Sequence, residues 1–179
     1  SIQGDTSYSR ALREFIRTAD LNDEANWSHV EAQLDLHSLM DYFALEMIAG
    51  NVDWPSNNVK YWKPSAEQGK WRYLMYDLDA TMVLYGWIEE DIDMMYWTFT
   101  HRAGSFHTEL LRGLMGRDEF RRLFLNRKAD LMNTVFSPAR FQAEVDRITT
   151  AFAPVIDHHF SRWQCWHQAY LDHAFGIIP

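Results

Sequence analysis

Two carboxylates close an apolar run at residues 73–83, YLMYDLDATMV, and Thr81 follows the second by two positions. Asp77 and Asp79 in that setting suit three chemistries. One could attack phosphorus as a nucleophile while the other serves as general acid. The pair could hold a metal ion that carries a nucleotide diphosphate. One or both could hold Mg²⁺ against phosphates in transit to a hydroxyl. Upstream, the segment DWPSNN places Asp53 and Asn58 five residues apart, with Asn57 beside the second. Transfer of a phosphoryl group to a hydroxyl needs a carboxylate to receive the proton and at least two oxygen ligands for the metal. Asp53 and Asn58 taken alone could equally cap turns around Pro55, because Asp and Asn are favoured turn residues.

The elements that must position these residues can be read from periodicity. Leu12, Phe15, Ile16 and Ala19 recur at helical spacing in residues 7–19, and a looser stretch follows Asn22. Asp35 is placed to cap a strong helix whose apolar side carries Leu36, Leu39, Met40, Phe43, Met47 and Ile48, and Gly50 to end it. Pro55 and the Asn pair rule out continuation through residues 51–58. VKYWK and WRYLMY, separated by PSAEQGK, predict a β-hairpin. Residues 80–104 read as loop with a short helix near 92–99. Helices are expected over 105–115 and 117–133, the latter with Phe120, Leu123, Phe124 and Leu131 inward. Another should start at Ser137-Pro138, and Pro154 should open a last one. The chain is expected to be one mainly helical domain (α+β) over residues 1–179, with a small hairpin inserted after its second main helix.

That scaffold weighs against two of the chemistries. YDLDAT resembles the haloacid-dehalogenase phosphatase signature, which would make Asp77 the nucleophile and Asp79 the acid. That fold requires a parallel sheet with a later lysine and further acids, but the only later lysine, Lys128, falls in a helical stretch. A metal-dependent glycosyltransferase would need a nucleotide-binding α/β domain before its Asp-x-Asp, where this chain reads as helical. Protein kinases place a base Asp and a metal-binding Asn five residues apart in one loop, then a hairpin, then the second metal-binding Asp. Asp53, Asn58, the hairpin and the Asp77–Asp79 pair follow that order.

GNVDWPSNNVKYW followed by GKWRYLMYDLD resembles the spore-coat protein H (CotH) kinase family. DEFRRLFLNRKADLMNTVFSPARF and HHFSRW look like its following helices, so the resemblance spans roughly residues 35–165. It implies an atypical protein-kinase C-terminal lobe that uses ATP with Mg²⁺ or Mn²⁺ and acts on serines of a protein substrate, in bacterial spore coat, cell envelope or secretions. By position, Asp53 matches the catalytic base and Asn58 the metal-binding Asn. Asp79 takes the place of the second metal-binding Asp, Asp77 is either a second ligand or a structural residue bonding loop amides, and Asn57 is placed to contact metal or phosphate. Ala80-Thr81 departs from the aromatic and glycine expected after that Asp. Residues before Asp35 offer only Arg10, Arg13 and Arg17 as cations on a helix, so the preceding nucleotide-covering lobe is expected to be missing. The chain then reads as a fragment that folds but transfers no phosphate by itself. A non-catalytic structural or binding module of the same fold is the reading from a different class.

Composition sets outer limits. The 179 residues are 47% hydrophobic, with eight Trp and eleven Phe, enough for a real core and unlike a disordered chain. Glu46 interrupts YFALEMIAG, and no apolar run is long enough to span a bilayer. A net charge of −8 argues against a general nucleic-acid binder. The single Cys165 excludes an intrachain disulfide. Asp157, His158, His159, Cys165, His167 and His173 match no zinc spacing and read as capping and packing residues. Trp54, Trp62 and Trp71 are expected in the core, and Arg117, Arg121, Arg122, Arg127 and Lys128 on a solvated helix face.

Overall fold

Asp35 and Gly50 bracket the helix around which the candidate site is built. In the computed structural model, which describes residues 7–64, 69–82 and 91–163, the elements run in this order. Helices α1 (Ser7–Thr18), α2 (Glu24–Gln33) and α3 (Leu36–Ala49) precede strands β1 (Lys60–Trp62) and β2 (Arg72–Leu74). Helices α4 (Met94–His101), α5 (Phe106–Met115), α6 (Asp118–Asn133) and α7 (Pro138–Trp163) follow. The architecture is mainly helical with one small antiparallel sheet. Residues up to Ala129 form one compact unit and those from Asp130 a second.

In the first unit the Asp35 carboxylate accepts a hydrogen bond from Ser38 N–H at 3.1 Å and another from Arg72 Nε at 2.9 Å, so one residue caps α3 and ties it to β2. Gly50 leaves α3 in the left-handed region at φ 66°, where a side chain would be strained. Between these ends, α3 buries Leu39, Met40, Tyr42, Phe43, Ala44, Glu46, Met47 and Ala49. Tyr73 of β2 stacks on Tyr42 at 4.9 Å, and Phe43 meets the fully buried Trp54 edge-on at 5.1 Å. The register Lys60↔Leu74, Tyr61↔Tyr73, Trp62↔Arg72 sends the two tyrosines to the packed face of the sheet. Strand alternation therefore turns Trp62 outward, 42% exposed, against the expectation of a core residue.

Helix α1 lies against α5 at a glycine. A Cβ on Gly113 would stand 2.5 Å from Ile16 Cγ2 and 3.0 Å from the Ile16 carbonyl oxygen. The stretch after Asn22, expected to be loose, is α2. Asp23 caps it through Ala25 and Asn26 N–H, but its ten residues bury only Trp27 and Val30, too few for a periodic signal. Arg117 is buried rather than solvated. Its guanidinium lies over Trp27, donates to the Leu21 carbonyl, and reaches Glu24 and Glu119 at 2.9 Å each. Phe120 and Phe124 of α6 point inward as expected, whereas Leu123, at the edge of that face, is 43% exposed.

In the second unit, Leu131 is buried and its carbonyl accepts from Phe136 N–H at 2.9 Å, forming the turn into α7. Pro154, expected to open a new helix, sits inside one helix running from Pro138 to Trp163. A proline removes a single i→i−4 bond, and the remaining bonds of a 26-residue helix carry it through. None of the residues of α7 is buried, and His158 and His159 lie exposed on it. Cys165, His167 and His173 fall outside the described residues.

Candidate functional site

The loop after α3 and the turn after β2 are sewn together along their backbones. Val52 N–H donates to the Ala80 carbonyl at 3.2 Å, and Met82 N–H to the Ala49 carbonyl at 2.9 Å. Arg102 Nη2 donates to the Val52 carbonyl at 3.2 Å from the other side. Thr81, prominent in the sequence motif, spends its hydroxyl on the Leu78 carbonyl at 2.7 Å and so shapes the turn.

Within the loop, Asp53 is half-buried and its carboxylate gathers both asparagines. Oδ1 accepts from Asn57 Nδ2 at 2.8 Å and Oδ2 from Asn58 Nδ2 at 2.9 Å. The Asp53 carbonyl also accepts from Asn57 N–H at 3.1 Å. Asn58 takes φ 56° and Asp77 φ 58°, a left-handed conformation that Asn and Asp adopt more readily than bulkier residues. Met82 shares this conformation at φ 54°, so two of the three such non-glycine residues among those described belong to the five singled out from the sequence.

Asp77 and Asp79 are exposed, on the turn facing this loop. Lost hydration raises the Asp77 carboxyl above the usual carboxylate range, and the charges of Asp79 and Asp53 push it the same way; only Lys60 opposes them. Lys60 lies over the Tyr76 ring with Nζ 3.2 Å from its centre. The Asp77 carboxylate therefore lies in the field of Asp79 and Asp53, and Asn58 is bonded to Asp53. Among the described residues no three His, Cys, Asp or Glu side chains are already gathered as a metal cage. The donor set is nonetheless the hard-oxygen type that suits Mg²⁺, a cation bound through one or two carboxylates with water and phosphate completing its shell. Mutual repulsion among the carboxylates is the electrostatic condition a divalent cation relieves.

Beneath the loop lies a polar group that sequence reasoning missed. Asn51 is fully buried. Its Oδ1 accepts from Asp53 N–H at 3.2 Å, and its Nδ2 donates to Glu46 Oε2 at 2.9 Å and to the Asp77 carbonyl at 3.4 Å. Glu46 is fully buried too, and burial lifts its carboxyl to about 7, partly offset by the bond from Asn51. The Tyr42 hydroxyl lies beside Glu46 and Trp54, yet Tyr42 Oη, Glu46 Oε1 and Trp54 Nε1 each lack a hydrogen-bond partner of good geometry. A charge inside the apolar face of a helix was the visible signal for Glu46. Asn51 opens the Asn-x-Asp-Trp-x-x-Asn-Asn block that resembles the CotH family, but its spacing suggested no role.

A family model described as CotH kinase protein matches residues 2–176. The chain belongs to the CotH kinase family. The match covers nearly the whole chain and identifies a kinase-family domain. No curated protein and no solved structure matches the chain. The parallel sheet required by a haloacid-dehalogenase phosphatase using Asp77 and Asp79 is not found among the described residues, whose only sheet is the antiparallel β1–β2 pair. No helix among them is long and apolar enough to cross a membrane.

Proposed function

We propose that this CotH-family domain is an atypical protein kinase with a C-lobe-like fold that transfers the γ-phosphoryl group of ATP to a serine or threonine hydroxyl of a protein. The observation that carries the reading is the Asp53 carboxylate held by Asn57 and Asn58, on a loop bonded to the turn that presents Asp77 and Asp79. Asp53 accepts the hydroxyl proton as the acceptor oxygen bonds to phosphorus and ADP leaves. Asn58, Asp79 and Asp77 would hold Mg²⁺ or Mn²⁺, and Asn57 lies where it could contact metal or phosphate. The bound cation supplies charge neutralisation at the phosphates. The two asparagine amides fix the rotamer of Asp53, so the base is oriented before the acceptor arrives. The family resemblance points to acceptor serines in spore-coat or cell-envelope proteins.

The same hydrogen bonds favour one other reading. Asp53 with both oxygens occupied by its own loop is also what a turn without chemistry would show, as in a non-catalytic binding module. Transfer of labelled γ-phosphate to a serine-rich protein acceptor, tested with the intact protein and its Asp53→Ala variant, separates the two. Metal-dependent transfer that disappears in Asp53→Ala supports the kinase; no transfer by either supports the module, and equal transfer by both removes Asp53 as the base.

A further inference from the structure

We infer that Asn51 and Glu46 are positioning residues, a buried clamp that holds the Asp53 loop in register with the Asp77–Asp79 turn. The inference rests on the kinase reading for what is being positioned, but the clamp is defined by its own geometry. The Asn51 side chain is bonded to both segments: it accepts from the backbone of Asp53 and donates to the backbone of Asp77. Its remaining contact, to Glu46 Oε2, anchors it to the last turns of α3. A buried amide has one acceptor and two donor hydrogens, and here each side of the group is used, leaving a single orientation of the Asn51 side chain. Glu46 fixes which way round the amide sits, because a carboxylate oxygen accepts and so selects the Nδ2 edge.

The backbone supports the assignment. Asp77 sits at φ 58°, a conformation that needs surrounding contacts to hold it, and its carbonyl is the atom Asn51 grips. The Val52-to-Ala80 bond runs alongside. Without Asn51, the Asp53 amide and the Asp77 carbonyl would both lose the partner that reaches them from the buried side of the loop. The loop and the turn could then shift against each other by the fraction of an ångström that oxygen ligands of a metal do not tolerate.

The test uses Mn²⁺ as the probe and backbone hydrogen exchange as an independent readout, on the intact protein. The variants are Asn51→Ala, Glu46→Gln, Glu46→Ala and, as a destabilised control away from the site, Leu114→Ala. Asn51→Ala and Glu46→Ala are expected to weaken Mn²⁺ binding by about tenfold or more, in line with losses on removing residues that orient metal ligands. They should also expose the Asp53 and Val52 amides to faster exchange while α5 amides stay protected. Glu46→Gln keeps an oxygen for Asn51 and should restore both readouts, and Leu114→Ala should leave Mn²⁺ affinity within about twofold despite lower stability. Folded Asn51→Ala with wild-type exchange at residues 52 and 53 would overturn the clamp, as would a Leu114→Ala loss of Mn²⁺ binding equal to that of Asn51→Ala. Absence of Mn²⁺ binding by the wild type would instead count against the metal site itself, and the exchange comparison would still decide the clamp.

Discussion

Burial lifts the Glu46 carboxyl to about 7 and drops the His107 imidazole, bonded through Nδ1 to the Tyr73 hydroxyl at 3.1 Å, to about 3. These shifts act on stability in opposite senses. Between about 4.5 and 7, folded Glu46 holds a proton that the unfolded chain has released, so this contribution shrinks as pH rises through that window. Between about 3 and 6.5, unfolded His107 binds a proton that the folded imidazole refuses, so its contribution shrinks as pH falls. The wild type should therefore change little in stability from pH 6.5 to 5. Glu46→Gln should lose stability on acidification over that range and His107→Gln should gain it, each by up to about 1.4 kcal/mol per pH unit. Urea midpoints at a series of pH values check this; parallel curves for all three proteins would contradict it. Asn58 offers a second residue-scale prediction. Its φ of 56° suits glycine, so Asn58→Gly should keep the melting temperature within a few degrees while abolishing phosphoryl transfer. Retained transfer would remove Asn58 from the site.

Helix approach and helix capping set the expectations for elements. Gly113→Ala drives a methyl into Ile16 and should destabilise the protein by about 1–3 kcal/mol, the usual range for overpacking. Gly104→Ala, with nothing within 4 Å of the added carbon, is the control and should be close to neutral. Asp35→Ala removes the α3 cap and the tie to Arg72, and a loss of about 1 kcal/mol is expected from the cap. Denaturant titration of the three variants orders them. These same elements show what a sequence makes visible. The span of α3 could be read because a cap, a long apolar face and a terminal glycine agree with one another. The hairpin could be read because β-branched and aromatic runs flank a loop. Helix α2 could not, since Trp27 and Val30 are two anchors in ten residues, and Trp62 misled because residue type says nothing of which strand face a ring occupies. At the candidate site, Asp53, Asn57 and Asn58 stood out by spacing; Asn51 and Glu46 stood in the sequence without a role, because that role is a three-dimensional junction between residues up to 31 apart in the chain.

At the scale of the whole molecule, residues distant in sequence are held together by a few polar staples as well as by apolar packing. Arg117 joins the Leu21–Glu24 segment to the start of α6 from a nearly buried position. Arg117→Met should lower the urea midpoint more than Arg121→Met, whose exposed pair with Asp118 is local to one helix turn. Equal effects would mean that Arg117 acts as an ordinary surface charge. If the proposed site binds ATP, the net charge of −8 leaves the phosphates to a divalent cation and to Lys60, which acts on the acidic turn. Nucleotide binding should therefore depend steeply on divalent metal. The account turns on Asp53, Asn58, Asp77 and Asp79 forming one metal–nucleotide site, and calorimetric titration of Mg²⁺–ATP into the intact protein and its Asp79→Ala variant tests that directly. Saturable binding that needs Mg²⁺ and is lost in a folded Asp79→Ala variant is the predicted result; no binding by the folded wild type, or equal binding by the variant, would contradict it.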